Sequence, residues 1–277
     1  MGEYKNRLQI IKETPNYWRV IITNGELNLF DPWMFAELNA LMTKMENDED
    51  LKVVVFESGN ENFFINHHDV EHRLIVPEQE GAAPFFYEWT NWVTRLAESR
   101  IISIAKVRGR ARAQGFEFAL ACDMRFASKE KAKFALVEVG GGSLPGGGGV
   151  EWLARLVGRA RALEIVISSD DFDADIGERY GFVNRSIPDA ELDDYVDKLA
   201  RRIGGFLKRP LEMGKRLVNA RAGVPARSEL YTSAYILRSA DFWDEVIEGG
   251  KKFAELGKNN YGEFELNLAK HLEDLAK

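Results

Sequence analysis

The sequence predicts an α/β protein with a core of short strands alternating with helices, followed by a mostly helical C-terminal part. Three observations support this. Runs rich in β-branched and aromatic residues recur in the first half, among them Tyr17–Thr23, Leu51–Phe56 and Ile101–Val107. Helical apolar spacing separates these runs, which favours parallel pairing through right-handed crossovers. From about Gly149 onward the pattern turns mostly helical.

Taken in order, Tyr17–Thr23 is the first strand, and Asn28–Asp31 breaks it. Asp31 followed by Pro32 is a helix start, with Asp as N-cap and Pro at the first position, and the helix runs from Pro32 to Met45. Asp48 and Asp50 end it, and the second strand is Leu51–Phe56. Ile101–Val107, Met124–Ser128 and Lys133–Leu136 are further strands. Helices are expected at Val150–Leu156, Arg161–Ser168, Ala174–Tyr180, Leu192–Gly204, Leu211–Ala220, Arg227–Ser239 and Gly262–Leu275, with one intervening strand at Phe182–Ile187. There is no internal repeat and no low-complexity linker. The expected division is a core over residues 1–200 and a helical region over 201–277.

With 277 residues, 45% of them hydrophobic, the chain is long enough to bury a core without disulfides or metals. Cys122 is the only cysteine, so an intrachain disulfide is ruled out and a reducing, cytoplasmic setting is expected. No run approaches the roughly 20 apolar residues that span a bilayer, and Met1–Lys12 does not read as a secretory signal. The net charge of −7 argues against non-specific nucleic-acid binding.

Three segments carry chemistry. In the first, Arg108–Asp123, a strand ends at Val107, small residues follow, and a helix begins near Gly115. A helix N-terminus offers unpaired N–H groups and a positive dipole end, which suits an oxyanion. Glu117 falls in the first turn, where it either lines such a site or simply favours the dipole. The second, Phe134–Gly149, has seven glycines in the ten positions 140–149 and places Glu138 between a strand and a glycine-rich loop. Such a loop permits close backbone approach to a ligand, but no Gly-Lys-Ser/Thr follows it as in a phosphate loop. The third, Asn62–His72, holds His67, His68, Asp69 and His72, yet lacks the HExxH spacing of a zinc site. No metal is expected there.

In this order the three segments resemble the crotonase (enoyl-CoA hydratase/isomerase) superfamily. Asn62-Phe-Phe-Ile-Asn-His-His-Asp-Val70 falls on the family's Ala-Phe-x-Ala-Gly-x-Asp-Ile stretch. Val107–Asp123 keeps the Val, Gly, Ala, last Gly, Glu and Asp of its second motif, and Phe134–Gly149 keeps the Phe, Glu, Gly, Pro and later glycines of its third. Leu153–Leu163 and Tyr180-Gly-Phe-Val-Asn184 also look like family segments. The resemblance runs from about Arg19 to Ser186, and more weakly to residue 258.

The resemblance implies a crotonase-like spiral of repeated ββα units, with a C-terminal helical trimerisation region that gives a homotrimer or a dimer of trimers. It implies an acyl-CoA thioester substrate, with coenzyme A present only as part of it, and no other cofactor, nucleic acid or membrane partner. The oxyanion-hole amides fall on Asn66 and Gln114, the water-holding carboxylates on Glu117 and Glu138, and a water-positioning amide on Gly146. Of the carboxylates, Glu138 is assigned as base and Glu117 as supporting acid, roles that can exchange because a coupled pair titrates as a unit. Phe253, and less directly Lys258, fall where the family meets the CoA nucleotide. Hydration of a 2-enoyl-CoA is the leading expectation. An isomerase or hydrolase on the same fold is the alternative, and a non-catalytic acyl-CoA or RNA binder the third.

The sequence also departs from the pattern. Asn66, His67, Ala113 and Gln114 fill Gly or Ala positions, and Leu136 and Val137 precede Glu138. Arg110 and Arg112 serve either CoA phosphates or surface charge. The aromatic stretch Phe85, Phe86, Tyr87, Trp89 and Trp92 either walls an acyl pocket or packs in the core, and packing is the favoured reading.

Overall fold

The computed structural model describes residues 6–69, 85–239, 243–257 and 261–275. The elements in order are β1 Leu8–Thr14, β2 Tyr17–Ile22, α1 Pro32–Asn47, β3 Val53–Ser58, β4 Phe63–Ile65, α2 Phe85–Glu98, β5 Ile102–Val107, β6 Arg110–Arg112, α3 Gln114–Ala121, β7 Met124–Ser128 and β8 Lys133–Ala135. Then come α4 Gly149–Ser168, β9 Phe172–Asp173, α5 Ala174–Tyr180, β10 Arg185–Ile187, α6 Asp189–Gly204, α7 Lys208–Ala222, α8 Arg227–Ser239, α9 Trp243–Gly257, α10 Tyr261–Leu266 and α11 Leu268–Leu275.

Two sheets form. The larger has strand order β1-β2-β3-β5-β7-β10 and the smaller β4-β6-β8-β9. Each turn of the chain lays one strand in the large sheet, a short one in the small sheet, and then a helix: β3-β4-α2, then β5-β6-α3, then β7-β8 leading to α4. This repeated ββα unit is the spiral that the resemblance implies. Pairing is parallel throughout except for the β1–β2 hairpin and the β8–β9 edge.

The central strands are apolar on both faces, as strands covered on both sides must be. Val54 and Phe56 of β3 face the main core with Phe118 and Trp92, while Val53 and Val55 face Leu192, Val196 and Ala200 of α6. Trp89 and Trp92 belong to that core. Their rings stack at 5.4 Å, and Trp92 stacks on Phe118 at 5.2 Å. The aromatic stretch is therefore packing, as favoured, at these two positions.

The N-cap of α1 is as the sequence indicated: Asp31 Oδ1 accepts from the Met34 amide at 2.7 Å, with Pro32 beginning the helix. Such a cap contributes about 1 kcal/mol. At the other end of the fold, Arg125 donates to the carbonyls of Ala119, Leu120 and Cys122, closing the C-terminus of α3 with a buried cation.

Several boundaries differ from expectation. The expected elements do not include β1, β4, β6, β9 and α9; of these, the two- and three-residue strands β4, β6 and β9 carry too little periodicity to be read. Val150–Leu156 and Arg161–Ser168 join into α4 across a kink at Gly158, whose φ of +75° is left-handed. Phe182–Ile187 shortens to β10, because Phe182 and Val183 turn into the core instead of the ladder. Gly262–Leu275 divides into α10 and α11 at Asn267, which hydrogen-bonds back to Glu263. The C-terminal helices also share a core with the first half: Phe264, Leu268 and Leu272 pack on Ala113, Ala135 and Val137. Among the described residues, no helix is long and apolar enough to cross a membrane.

Candidate active site

The site lies where the ends of β4, β6 and β8 meet the C-terminal helices. Gln114 is the first residue of α3, so its amide has no acceptor within the helix. Ala113, just before it, holds φ +47° and ψ −120°, a conformation normally left to glycine. The chain therefore keeps a glycine-like backbone there despite the side chain. Gly115 explains how close α3 comes to β4: a Cβ at that position would lie 1.8 Å from the Ile65 carbonyl oxygen.

The loop after β4 is fastened to residues 28–30. The Asn66 amide donates to Asn28 O at 3.0 Å, Phe30 N donates to His67 O at 3.0 Å, and Asp69 N donates to Phe30 O at 2.8 Å. Asn28 is itself fully buried, with its Nδ2 on Phe64 O at 2.6 Å. This corrects the expectation for Asn66, whose amide is committed inside the fold. The amide that faces α3 is that of His68, and it donates to Gln114 Oε1 at 3.1 Å. The carboxamide oxygen of Gln114 thus holds the His68 amide, beside the N-terminus of α3 that the Gln114 amide opens.

Glu117 is buried, and its Oε1 accepts from the amides of Gly147 at 2.8 Å and Gly149 at 3.1 Å. The glycine-rich loop is thereby wrapped around a carboxylate. Gly147 has to be glycine, since a Cβ there would sit 2.1 Å from Glu117 Oε2 and 2.4 Å from Trp89 Nε1. Burial pushes the Glu117 carboxyl up to about 7, with the two amides pulling it back and Glu151 adding to the rise. Glu138, just beyond β8, has a buried Oε2 with no hydrogen-bond partner among the described residues. Burial and then the neighbouring Glu117 hold it well above the usual carboxylate range. Two carboxyls in this setting cannot both ionise easily. Glu117, with two N–H donors, is the better anion, and Glu138 the better proton carrier.

A cavity of about 130 Å³ adjoins these groups, lined by His67, His68, Gln114 and Glu138 on one side and by apolar residues such as Leu144, Leu237 and Phe253 on the other. The structure thus brings Gln114, Glu138 and Phe253 to one cavity, with Glu117 behind Gly147. Gly146 packs against Leu237 at the same end. Lys258 and His72 lie outside the described residues. Arg112 is not a surface cation: it is fully buried and pairs with Asp171 through both forks, at 3.0 and 2.6 Å. Sequence reasoning missed His68, Asn28 and Glu265. The last accepts from Asn66 Nδ2 at 3.0 Å and pairs with His67 Nε2 at 2.9 Å. Nothing local marks a residue 198 positions downstream as a partner of His67.

The enoyl-CoA hydratase/isomerase family profile matches residues 19–264. The chain belongs to that family. It is similar to a short-chain-enoyl-CoA hydratase of Clostridium acetobutylicum, 30% identical over 70% of this chain and 73% of that protein. It is also similar to a mitochondrial enoyl-CoA hydratase of Pongo abelii, 27% identical over 85% of this chain and 79% of that one. Among solved structures, one from Streptomyces avermitilis, named provisionally as an enoyl-CoA hydratase, superposes with a TM-score of 0.88 at 34% identity, covering 99% of this chain and 98% of that one. As a member of the enoyl-CoA hydratase/isomerase family, the protein is an enzyme.

Proposed function

We propose that the protein adds water across the double bond of a 2-enoyl-CoA to give a 3-hydroxyacyl-CoA. The observation that carries this is a pair of buried carboxyls, Glu117 and Glu138, both held above the usual carboxylate range, with the His68 amide turned toward Gln114 at the N-terminus of α3. The thioester carbonyl oxygen takes the place of Gln114 Oε1, between the amides of His68 and Gln114. Each such donor is worth roughly 3–4 kcal/mol when charge develops on that oxygen. The positive end of α3 adds to it.

Glu117 takes a proton from water, the hydroxyl joins C3, and the electron pair moves to the thioester oxygen. Glu138 then delivers its proton to C2 as the enolate collapses. This reverses the roles first assigned to the two carboxylates. The physical reason is that two N–H donors favour the anion on Glu117, while Glu138 Oε2 has none. The Gly146 amide is proposed to help hold the water, and Phe253 to contact the CoA moiety at the cavity rim. Exposed apolar residues on α7, among them Leu217 and Val218, support self-association into the trimeric assembly proposed here.

Loss of the conjugated-thioester absorbance of crotonyl-CoA, with 3-hydroxybutyryl-CoA as product, tests the reading, and absence of that product across a panel of enoyl-CoA chain lengths would refute it. One observation favours a second reading: Glu138 lines the cavity and Glu117 does not. That arrangement suits an isomerase, which moves a double bond with a single carboxylate.

Gln114 makes a further prediction. Its carboxamide competes with the substrate carbonyl for the His68 amide. Gln114→Ala keeps the backbone donor and removes the competitor. One hydrogen bond is worth about 0.5–1.5 kcal/mol net, so the KM for enoyl-CoA is expected to fall roughly 2- to 10-fold. An unchanged KM would mean that the side chain does not compete.

A further inference from the structure

Glu265 sits on α10, in the C-terminal helices, and is fully buried. It grips both chain segments that present the two amides. Its carboxylate accepts from Asn66 Nδ2 at 3.0 Å and pairs with His67 Nε2 at 2.9 Å, and these two residues directly precede His68. Its main-chain carbonyl accepts from Arg112 Nη1, two residues before Gln114. Arg112 is anchored in turn by its double bond to Asp171.

The His67 ring adds a charge to this clamp. Its Nδ1 lies 2.8 Å from His68 O and its Nε2 2.9 Å from the Glu265 carboxylate. A carbonyl and an ionised carboxylate only accept hydrogen bonds, so with Glu265 ionised this geometry fits a proton on each ring nitrogen, an imidazolium. Burial alone would disfavour that cation, but Glu265 outweighs it and raises the His67 pKa. With both nitrogens engaged, His67 is no general base. It transmits the position of Glu265 to the loop that carries the His68 amide.

We infer that Glu265 is a positioning residue that sets the separation of the His68 and Gln114 amides, so that the active site is assembled only when the C-terminal helices dock on the spiral core. This rests on the oxyanion reading proposed above and extends it to a residue far away in sequence. A preorganised site depends on such a supporting shell, and a misplacement of about 1 Å can cost roughly 100-fold in rate.

The experiment compares the full-length protein with Glu265→Gln and with the double variant Glu265→Gln/His67→Gln, which replaces the ion pair by a neutral hydrogen-bonded one. Crotonyl-CoA hydration gives kcat and KM. The infrared thioester carbonyl stretch of bound butyryl-CoA reports polarisation by the two amides without turnover. Glu265→Gln is expected to lower kcat roughly 10- to 100-fold with a smaller change in KM. It should also move the bound carbonyl stretch back toward its value in free butyryl-CoA, and the double variant should recover much of both. A folded Glu265→Gln protein with wild-type kcat and an undiminished carbonyl shift would overturn the inference. If Glu265→Gln fails to fold, Asn66→Ala, which releases one arm of the clamp, is measured the same way, and a wild-type carbonyl shift in it would overturn the inference equally. Absence of any carbonyl shift in the wild-type protein would instead refute the oxyanion reading on which the inference rests.

Discussion

Glu138→Gln is expected to lower enoyl-CoA hydration by roughly 100- to 10,000-fold, the usual worth of a positioned proton donor. The substitution is nearly isosteric and removes only the transferable proton. Glu138 Oε2 is buried without a hydrogen-bond partner among the described residues, so no neighbouring group there is poised to replace it. The loss should fall on kcat, because the apolar cavity wall formed by Leu144, Leu237 and Phe253 is untouched. Steady-state kinetics with crotonyl-CoA checks this. A variant with kcat within a few-fold of wild type would remove Glu138 from the chemistry.

Glu117→Gln should cause a loss of similar size, and this separates hydration from isomerisation. Hydration needs both carboxyls, whereas double-bond migration needs only Glu138. Full loss of turnover in both variants supports hydration, and retained turnover in Glu117→Gln alone supports isomerisation. The same variant has a second consequence, for stability. Glu117 titrates near 7 in the folded chain against an ordinary value of 4.5, because burial disfavours its charge. Between those values the folded state binds the proton that the unfolded state has released. Its contribution is therefore fully present below about 4.5 and is lost as pH rises through about 7. The cost at high pH is on the order of a few kcal/mol. Replacing Glu117 by the neutral Gln should flatten this fall, so the melting temperature of the variant relative to wild type should rise between pH 5 and pH 8. A difference that stays constant over that range would show that Glu117 is not buried as an acid.

The fold class and several residues of the candidate site were legible because they depend on local patterns. Strand runs such as Leu51–Phe56, the Asp31-Pro32 helix start, the helix opening before Glu117 and the glycine-rich run after Glu138 all declare themselves within a few residues. Motif resemblance then placed Gln114, Glu117 and Glu138 in one family and supplied an expected role for each.

What the sequence could not decide was which backbone amide points where. Asn66 and His68 are two residues apart in one loop, and only the hydrogen bonds from residues 28–30 determine that the first amide turns inward and the second faces α3. The division of labour proposed for Glu117 and Glu138 was likewise hidden, because it rests on the Gly147 and Gly149 amides closing on one carboxylate and leaving an oxygen of the other bare. Nor could spacing connect Glu265 to His67. Periodicity records what a residue does within its own element, whereas hydrogen-bond direction, burial of charge and contacts across nearly 200 residues exist only once the elements have packed.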